Sequence, residues 1–472
     1  MRLRPLHALV AIAFVLVVAG CAAAPDETGS VPATAGLAPA DAIAFVTLVT
    51  DESSEQWENA DRLLGLFPDA RSELLDSIRT ELAQENLSWT SDVAPALGAE
   101  LVVVVTADRK PVVLLQPESD ERLRALIAKS DQPPAKGTVD DWTVLAETQA
   151  DIDSYRAALG RGTLEGVPSF EDAMTGLPAE ALVRGWVDLK AISKELTSVF
   201  AQPGLGDLGV DWLAAALAAE EDGVHLSLGV RTPDDSGSSY EPELVDRVPA
   251  DAVAALSFGG TQGFLDRVEG TVDVGEISKV LEDTVGVSLD GLLDALSGEG
   301  LLYVRKGGAE VPEVTLVLAP PNADEAFDTV DRVVRKLALQ SGEKVRIRTE
   351  RGRTINELTL EGFTLAYAKL DDGMVIVTTG PGGITDFLGD DPKLVDSDAF
   401  EAAAERVELG ERTRGFAYVD IDGLIPLIES IAGPEALPAQ ARDVFQTLDS
   451  FILEGSGDGP TTELDGFVRV TR

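Results

Sequence analysis

The chain contains few of the residues that build cross-links, metal sites or catalytic triads. Its 472 residues include a single cysteine, Cys21, and two histidines, His7 and His225. A disulfide needs two cysteines, and a zinc site of the His/Cys type needs several such ligands. A serine or cysteine triad would have to use His225 as its base, because His7 lies in the apolar start of the chain. We therefore predict no catalytic residue, no metal site and no cofactor.

The residues around His225 predict a half-buried strand. Apolar and other side chains alternate over residues 223–231, and this period of two is typical of a strand with one face on the core. The apolar set comprises Val224, Leu226, Leu228 and Val230. His225 and Ser227 belong to the opposite set, so His225 is expected on the solvent face rather than in a catalytic site.

Positive charge and aromatic side chains are also scarce. The chain has 38 Lys and Arg residues against 82 Asp and Glu, a formal net charge of −44. Such a chain repels polyanions, which excludes nucleic acid as an expected partner and disfavours anionic headgroups. Aromatic residues make up 5%, too few for broad sugar-stacking platforms. Acidic pairs such as Asp140-Asp141 and Asp371-Asp372 leave one alternative open, a hydrolase that uses acidic residues with a divalent cation.

No apolar run is long enough to span a bilayer. The longest candidate, 8–18, is an uncharged stretch of 11 residues after a cationic start, which is the length of a signal-peptide core. Small residues precede Cys21, as in a bacterial lipoprotein signal. We predict a signal peptide over 1–20, cleavage after Gly20, lipidation of Cys21 and a flexible tether over 21–36. The mature protein would be exported and held by its lipid at the extracytoplasmic face of the cell membrane. A plain secretory signal without an anchor is the alternative.

Sequence motifs recur in the same order in the two halves of the chain. Pro39-Ala40-Asp41-Ala42 returns as Pro249-Ala250-Asp251-Ala252, and Trp186-Val187-Asp188-Leu189 as Tyr418-Val419-Asp420-Ile421. This order predicts two tandem homologous modules, 37–232 and 245–472, joined by a linker over 233–244. The second module would carry an inserted hairpin at about 344–369. Short turns between strands predict an α+β fold in which each module has a mainly antiparallel sheet with helices packed on one face.

These motifs resemble a family of bacterial envelope lipoproteins of unknown function. The resemblance rests on the Leu/Val-Pro-Ala-Asp-Ala opening at Pro39, the Asp-led segment 92–98 and the aromatic-Val-Asp strand at Trp186. Second copies begin at Pro249, Asp290 and Tyr418. The resemblance implies an envelope protein and brings no catalytic residues with it.

Two amphipathic segments, 55–66 and 69–85, are predicted as helices, and 363–369 is expected to pair with 374–378 across the Asp372-Gly373 turn.

Two further motifs predict local structure. The run Gly380-Pro381-Gly382-Gly383 lacks the residues of a phosphate-binding loop, so we interpret it as a glycine turn that needs positive φ or close packing. Asp420 is expected to end a strand and Asp422 to cap the helix that follows.

The favoured hypothesis is a non-enzymatic binding or scaffold protein that takes an envelope protein partner or a hydrophobic ligand. An apolar cleft between modules could be lined by aromatic residues, although ordinary core positions are the favoured interpretation for them: Trp186, Trp212, Phe264 and Phe416. A third hypothesis is the solute-binding subunit of a transporter, which predicts alternating β/α domains with a hinge. The hairpin-rich pattern of this sequence disfavours it.

Overall fold

The computed structural model describes residues 29–471 except for 68–71, 73–79, 81, 84–86, 131, 193–208, 233–238, 261–286, 308–310, 351, 361–362, 381, 434–435 and 458. The predicted signal peptide, Gly20, Cys21 and Phe264 lie outside the described residues, as does most of an amphipathic segment predicted as a helix at 69–85.

A single antiparallel sheet of 18 strands forms the centre of the described chain. The strands of the first half are β1 Ala44–Val49, β2 Glu100–Val105, β3 Pro111–Leu115, β4 Ala135–Val139, β5 Trp142–Ala146, β6 Val183–Asp188, β7 Trp212–Ala219 and β8 Gly223–Arg231. Those of the second half are β9 Ala252–Gly259, β10 Glu299–Arg305, β11 Glu313–Ala319, β12 Arg346–Glu350, β13 Arg353–Leu360, β14 Phe363–Lys369, β15 Val375–Thr378, β16 Gly415–Asp420, β17 Leu448–Ser456 and β18 Thr461–Val470.

Ten α-helices are described around this sheet. They are α1 Glu55–Gly65, α2 Asp120–Lys129, α3 Gln149–Leu159, α4 Pro168–Thr175, α5 Leu289–Ala295, α6 Ala323–Ser341, α7 Gly383–Phe387, α8 Asp398–Arg406, α9 Ile421–Ala432 and α10 Ala439–Phe445. The α+β class with mainly antiparallel pairing is therefore confirmed.

Corresponding strands of the two halves follow each other in the same order on the two sides of the β8–β18 pair. On one side the order is β8-β7-β6-β1-β2-β3-β5-β4, and on the other it is β18-β17-β16-β9-β10-β11-β15-β14-β13-β12. The registers agree as well. Val49 faces Glu100 in the β1–β2 pair, and Gly259 faces Glu299 in the β9–β10 pair. The β12–β13 hairpin lies beyond β14 and forms one end of the sheet.

Helices pack on both faces of the sheet, so the prediction of helices on one face is wrong. In the first half, Phe170 of α4 belongs to the same buried cluster as Val104. Leu123 of α2 belongs to another cluster, together with Val103. Successive strand residues point to opposite faces, which places these two clusters on opposite sides of β2. The physical reason is the continuous apolar run of β2 and β3, since such strands have no polar face to leave in water.

Of the two local predictions, the capping residue is wrong and the glycine turn is confirmed. Asp420, not Asp422, is the N-cap of α9, because its side chain accepts a hydrogen bond from the Gly423 amide. Asp188 accepts in the same way from the Ala191 amide over 2.8 Å. At the glycine turn, a Cβ on Gly380 would collide with Glu313 and one on Gly383 with Thr378. Close packing, rather than positive φ, therefore requires glycine there.

Segments next to the predicted module boundaries are packed. A 3-10 helix over Ala33–Leu37 buries Ala35 completely, and the Ser30 carbonyl accepts a hydrogen bond from Arg184 over 2.9 Å. Leu244, at the end of the predicted linker, is 3% exposed. The packed part of the chain therefore begins before Leu37, the predicted start of the first module.

Candidate functional site

β8 has its polar face buried and its apolar face half-exposed, the reverse of the prediction from its alternating pattern. His225 is 5% exposed and Ser227 is 3% exposed, so the expectation of a solvent-facing His225 is wrong. Leu226 and Leu228, from the opposite set, are only partly buried. Alternation shows that two faces differ, but the partners that pack on a strand decide which face leaves the solvent.

The half-exposed side of β8 continues across its neighbours. Leu217 of β7 faces Leu226, and Leu228 faces Leu464 of β18. Directly opposed residues in antiparallel strands share a face. We define the apolar face by partly buried or exposed residues that follow from this pairing: Leu213, Leu217, Val224, Leu226, Leu228, Val230, Leu464, Val468, Phe451, Leu453, Ala417 and Leu256.

Two described helices touch strands of the apolar face. Leu63 of α1 packs with Ala219 and the partly buried Val224. α9 packs against β17, β16 and β9. With both helices in place, Leu256 remains 44% exposed. Apolar side chains that stay partly exposed side by side mark a place where something apolar binds when the patch they form is large.

Beneath the apolar face, on the other side of the same strands, lies a layer of polar groups that we call the seam cluster: Ser227, Glu454, Glu463 and Asp465. Ser227 Oγ donates to Asp465 Oδ1 over 2.6 Å. Glu454 faces Asp465 across the β17–β18 pair and is 3% exposed. Loss of solvation, together with the nearby Asp465 and Glu463 carboxylates, raises the pKa of Glu454 to about 7. Burial likewise raises the pKa of both Asp465 and Glu463.

His225 belongs to a neighbouring network at the β7–β8 turn. Its Nδ1 lies 3.2 Å from Glu220 Oε1, and Arg406 of α8 donates to Glu220 Oε2 over 2.7 Å. Arg406 also donates to Asp222 over 2.5 Å and lies above the Phe467 ring at 5.2 Å. A residue of the second half therefore compensates two carboxylates of the first half.

This network does not have the chemistry of a catalytic base. Burial and the Arg406 charge lower the pKa of His225 to about 2, so the imidazole is neutral at physiological pH. Its buried Nε2 has no hydrogen-bond partner among the described residues. Within the same described ranges, no group of three or more His, Cys, Asp or Glu side chains is arranged to hold a metal ion. We assign His225 a structural role.

The repeated Pro-Ala-Asp-Ala motif makes the same backbone contacts in each half. The Ala40 amide donates to the Gly162 carbonyl, and the Ala250 amide donates to the Pro392 carbonyl, each over 3.0 Å. The aspartates differ in their partners, since Asp41 pairs with Arg161 at 3.0 Å and Asp251 with Arg305 at 3.5 Å. These contacts make the motif a structural turn.

Two open surface pockets lie beside Asp41. One, of about 340 Å³, is lined by Asp41, Lys110, Asp151 and Arg161 among others. The other, of about 320 Å³, reaches Trp186 and Asp188. In the first pocket the charged groups pair with each other, Lys110 with Asp151 at 3.8 Å and Arg161 with Asp41.

The predicted cleft aromatics are core residues where they are described. Trp186 and Trp212 are buried in the core of the first half and Phe416 in that of the second half. Sequence reasoning missed the apolar face because its residues were expected to form the core. One signal was present: the set containing His225 and Ser227 also includes Gly223 and Gly229, whose small size permits close packing over that side.

No helix in the described part of the chain is both long and apolar enough to cross a membrane.

No protein-family model and no curated protein matches the chain. Among solved structures, crystal form IV of TP0453 is similar with a TM-score of 0.27 and 10% sequence identity, over 43% of this chain and 81% of that one. Crystal form III of TP0453 gives the same TM-score and coverage at 9% identity. A likeness of this size carries no argument about fold or function.

Proposed function

We propose that the protein is an exported, lipid-anchored binding protein of the bacterial envelope that takes up alkyl chains on the apolar face. The observation that supports this proposal most is the partial exposure of one row of aliphatic side chains on β8: Val224, Leu226, Leu228 and Val230. His225 and Ser227, on the opposite face of the same strand, are buried. Burying a leucine side chain contributes about 1.5–3 kcal/mol, so a ligand that covers several of these residues gains appreciable affinity.

The composition of the apolar face favours an alkyl chain over a protein partner. Protein interfaces concentrate their binding energy in Trp, Tyr and Arg. The twelve residues that define this face are Leu, Val, Ala and one Phe, and the same pairing places Ala254, Phe258 and Val419 beside them. Such a surface offers broad non-directional contact and few hydrogen-bond donors or acceptors, which suits a hydrocarbon chain.

The proposal includes a duplicated scaffold of two modules, 37–232 and 245–472, with the linker between them. The mirrored strand order and the matching registers at Glu100 and Glu299 support this duplication. The two modules would contribute β8 and β18 to a shared sheet, so the ligand would lie across their junction.

A hydrolase that uses acidic residues has less support. Two carboxyl groups have their pKa raised to about 7 by burial: Glu454, which is 3% exposed and lies under the sheet, and Glu299, which accepts a hydrogen bond from the Leu244 amide over 2.8 Å. A general acid must reach the bond that it protonates.

Ligand uptake can be tested with the fluorescent apolar probe N-phenyl-1-naphthylamine. The double variant Leu226→Thr/Leu228→Thr keeps β propensity but removes the aliphatic centre of the face, so the probe should bind at least about tenfold more weakly. Val311→Thr is the matched control, because Val311 is 38% exposed and lies outside the face. Equal probe binding by both variants would contradict uptake on this face.

The anchor requires a separate test. Cys21→Ser in the producing cells should abolish incorporation of labelled fatty acid and release the protein from the membrane fraction. Continued labelling of this variant would refute lipidation at Cys21.

A further inference from the structure

The charge of the chain is not uniform, and one segment reverses its sign. Residues 332–353 contain eight Lys or Arg residues and two acidic ones, a formal charge of +6 within a chain of −44. In the structure this segment comprises the C-terminal half of α6, a turn, β12 and the start of β13. It lies at the end of the sheet where β12 is the last described strand.

The same segment exposes the two most exposed large apolar side chains of the described chain. Leu339 is 82% exposed and Ile347 is 67% exposed. On α6, Arg332 and Lys336 precede Leu339 by seven and three residues, which places them on its side of the helix. Lys344 and Arg346 flank Ile347 in the chain and are both exposed. Since neighbouring strand residues point to opposite faces, Arg346 lies on the other face of β12 from Ile347, and the two side chains flank this end of the sheet from its two sides. Apolar side chains and cations therefore alternate along this end of the sheet.

The local architecture holds this surface in place. Val334 and Ala338, on the inner side of α6, pack with Leu358 and Tyr367 in a buried cluster. Gly342 ends the helix with a φ of 77°, a left-handed conformation that glycine adopts without strain. The turn after it leads directly into β12. Arg348 is paired with Glu357 and Arg335 with Asp331, each over 2.5 Å, so part of the charge is neutralised within the surface.

We propose that this surface, defined by Arg332, Lys336, Leu339, Lys344, Arg346 and Ile347, docks on an anionic phospholipid bilayer. Exposed aliphatic residues flanked by cations are the composition of peripheral membrane-binding segments, because the aliphatic groups enter the interface while the cations meet the headgroups. Acidic residues elsewhere act weakly on this contact, since charges beyond about 8 Å are screened at physiological ionic strength. The net charge disfavours contact between the average surface and anionic headgroups, but this segment carries the opposite charge.

The docking surface is independent of ligand uptake. It shares no residue with the apolar face, and strands β10, β11, β15, β14 and β13 separate β12 from Leu256 of β9. At about 4.8 Å per spacing and six spacings from β9 to β12, the two surfaces lie about 29 Å apart.

The test is sedimentation of the full chain with lipid vesicles, in a Cys21→Ser background so that no attached lipid contributes. We expect stronger binding to phosphatidylglycerol-containing vesicles than to phosphatidylcholine alone, and weaker binding as salt is added. Each cation near an anionic surface contributes about fivefold, so Arg332→Gln/Arg346→Gln should weaken binding roughly 25-fold. Leu339→Ser/Ile347→Ser should also weaken it but retain the salt dependence.

The matched control is Arg124→Gln/Lys190→Gln, which removes two cations of the first half whose side chains are 69% and 77% exposed. It should bind vesicles like the parent. Equal binding to both vesicle types, or an unchanged Arg332→Gln/Arg346→Gln variant, would overturn the proposal. Analytical ultracentrifugation gives the other decisive outcome: self-association that these variants abolish, without vesicle binding, would assign the surface to contact with a second copy of this acidic chain instead.

Discussion

Ser227 and Asp465 face each other across the β8–β18 pair, and the Ser227 hydroxyl donates a hydrogen bond to Asp465 Oδ1 over 2.6 Å. This contact lies where the two mirrored parts of the strand order meet. It belongs to a polar layer beneath a half-exposed apolar surface. In the central strands, the face that carries polar side chains is therefore buried, and the face that carries aliphatic side chains is only partly buried.

Ser227→Ala should destabilise the protein by about 1–3 kcal/mol, because it leaves the Asp465 carboxyl without its hydroxyl donor in a largely desolvated position. Urea unfolding at constant pH measures the change. Ser456→Ala is the control, because Ser456 lies on the β17–β18 hairpin that also carries Asp465 and is only partly buried. Identical midpoints for both variants would show that the hydrogen bond contributes nothing to stability.

Glu454 should make stability depend on pH. Burial raises the pKa of Glu454 to about 7, from 4.5. Between these values the folded state binds the proton and the unfolded state does not, so the free energy of unfolding falls as pH rises from about 4.5 to about 7. At about 1.4 kcal/mol per pKa unit, this cost is roughly 3 kcal/mol.

Glu454→Gln removes this titration, so the stability difference between variant and wild type should grow in favour of the variant over that pH range. Chemical unfolding measured at several pH values gives the difference directly. Glu401→Gln, which removes an exposed carboxyl group from α8, is the control. A constant difference for Glu454→Gln would argue against a raised pKa.

Arg406→Gln should destabilise the contact between the two halves of the sheet. Without the guanidinium, Glu220 and Asp222 each lose a paired cation at the β7–β8 turn, and Asp222 retains Arg469 at 3.8 Å. The Arg406 side chain is 38% exposed, so solvent screening limits the cost to about 2 kcal/mol.

Arg442→Gln is the matched control, since the Arg442–Glu429 pair spans 2.8 Å with both side chains about one-third exposed. It should cost less than about 1 kcal/mol. Calorimetry compares the two variants, and the Arg406 contact would be unimportant if their unfolding temperatures coincided.

Both faces of the first half should contribute to stability. Phe170→Ala removes a fully buried ring that makes edge contacts with Phe45 and Trp186, each at 5.3 Å between centroids. Leu123→Ala removes a side chain that is 1% exposed on the opposite face. We expect losses of about 3–5 and 2–5 kcal/mol in thermal or urea unfolding. Leu339→Ala, at an 82% exposed position, should be nearly neutral.

Local structure was predictable from the residues wherever neighbours in the chain decide it. The β14–β15 hairpin forms about its Asp372-Gly373 turn as expected, and α1 begins at Glu55 with Ser54 as its cap. The prediction after β16 is correct for the end of the strand at Asp420 and wrong for the cap, which is Asp420 and not Asp422. The candidate site was not predictable in this way, because the partners of His225 include Glu220 and, through it, Arg406 from 181 residues further along the chain.

The sequence by itself determined the α+β class, the alternation of β8 and the acidity of the chain, since composition and period are properties of consecutive residues. Its short apolar start and lone Cys21 predict a lipid anchor, which labelling can test. Tertiary structure decided that helices cover both faces of the first half, that His225 and Ser227 are buried and that the leucines of β8 remain accessible. The physical reason is that burial depends on distant groups. Arg406 and Asp465 satisfy polar atoms on one side of the sheet, while the apolar side of the same strands remains only partly covered.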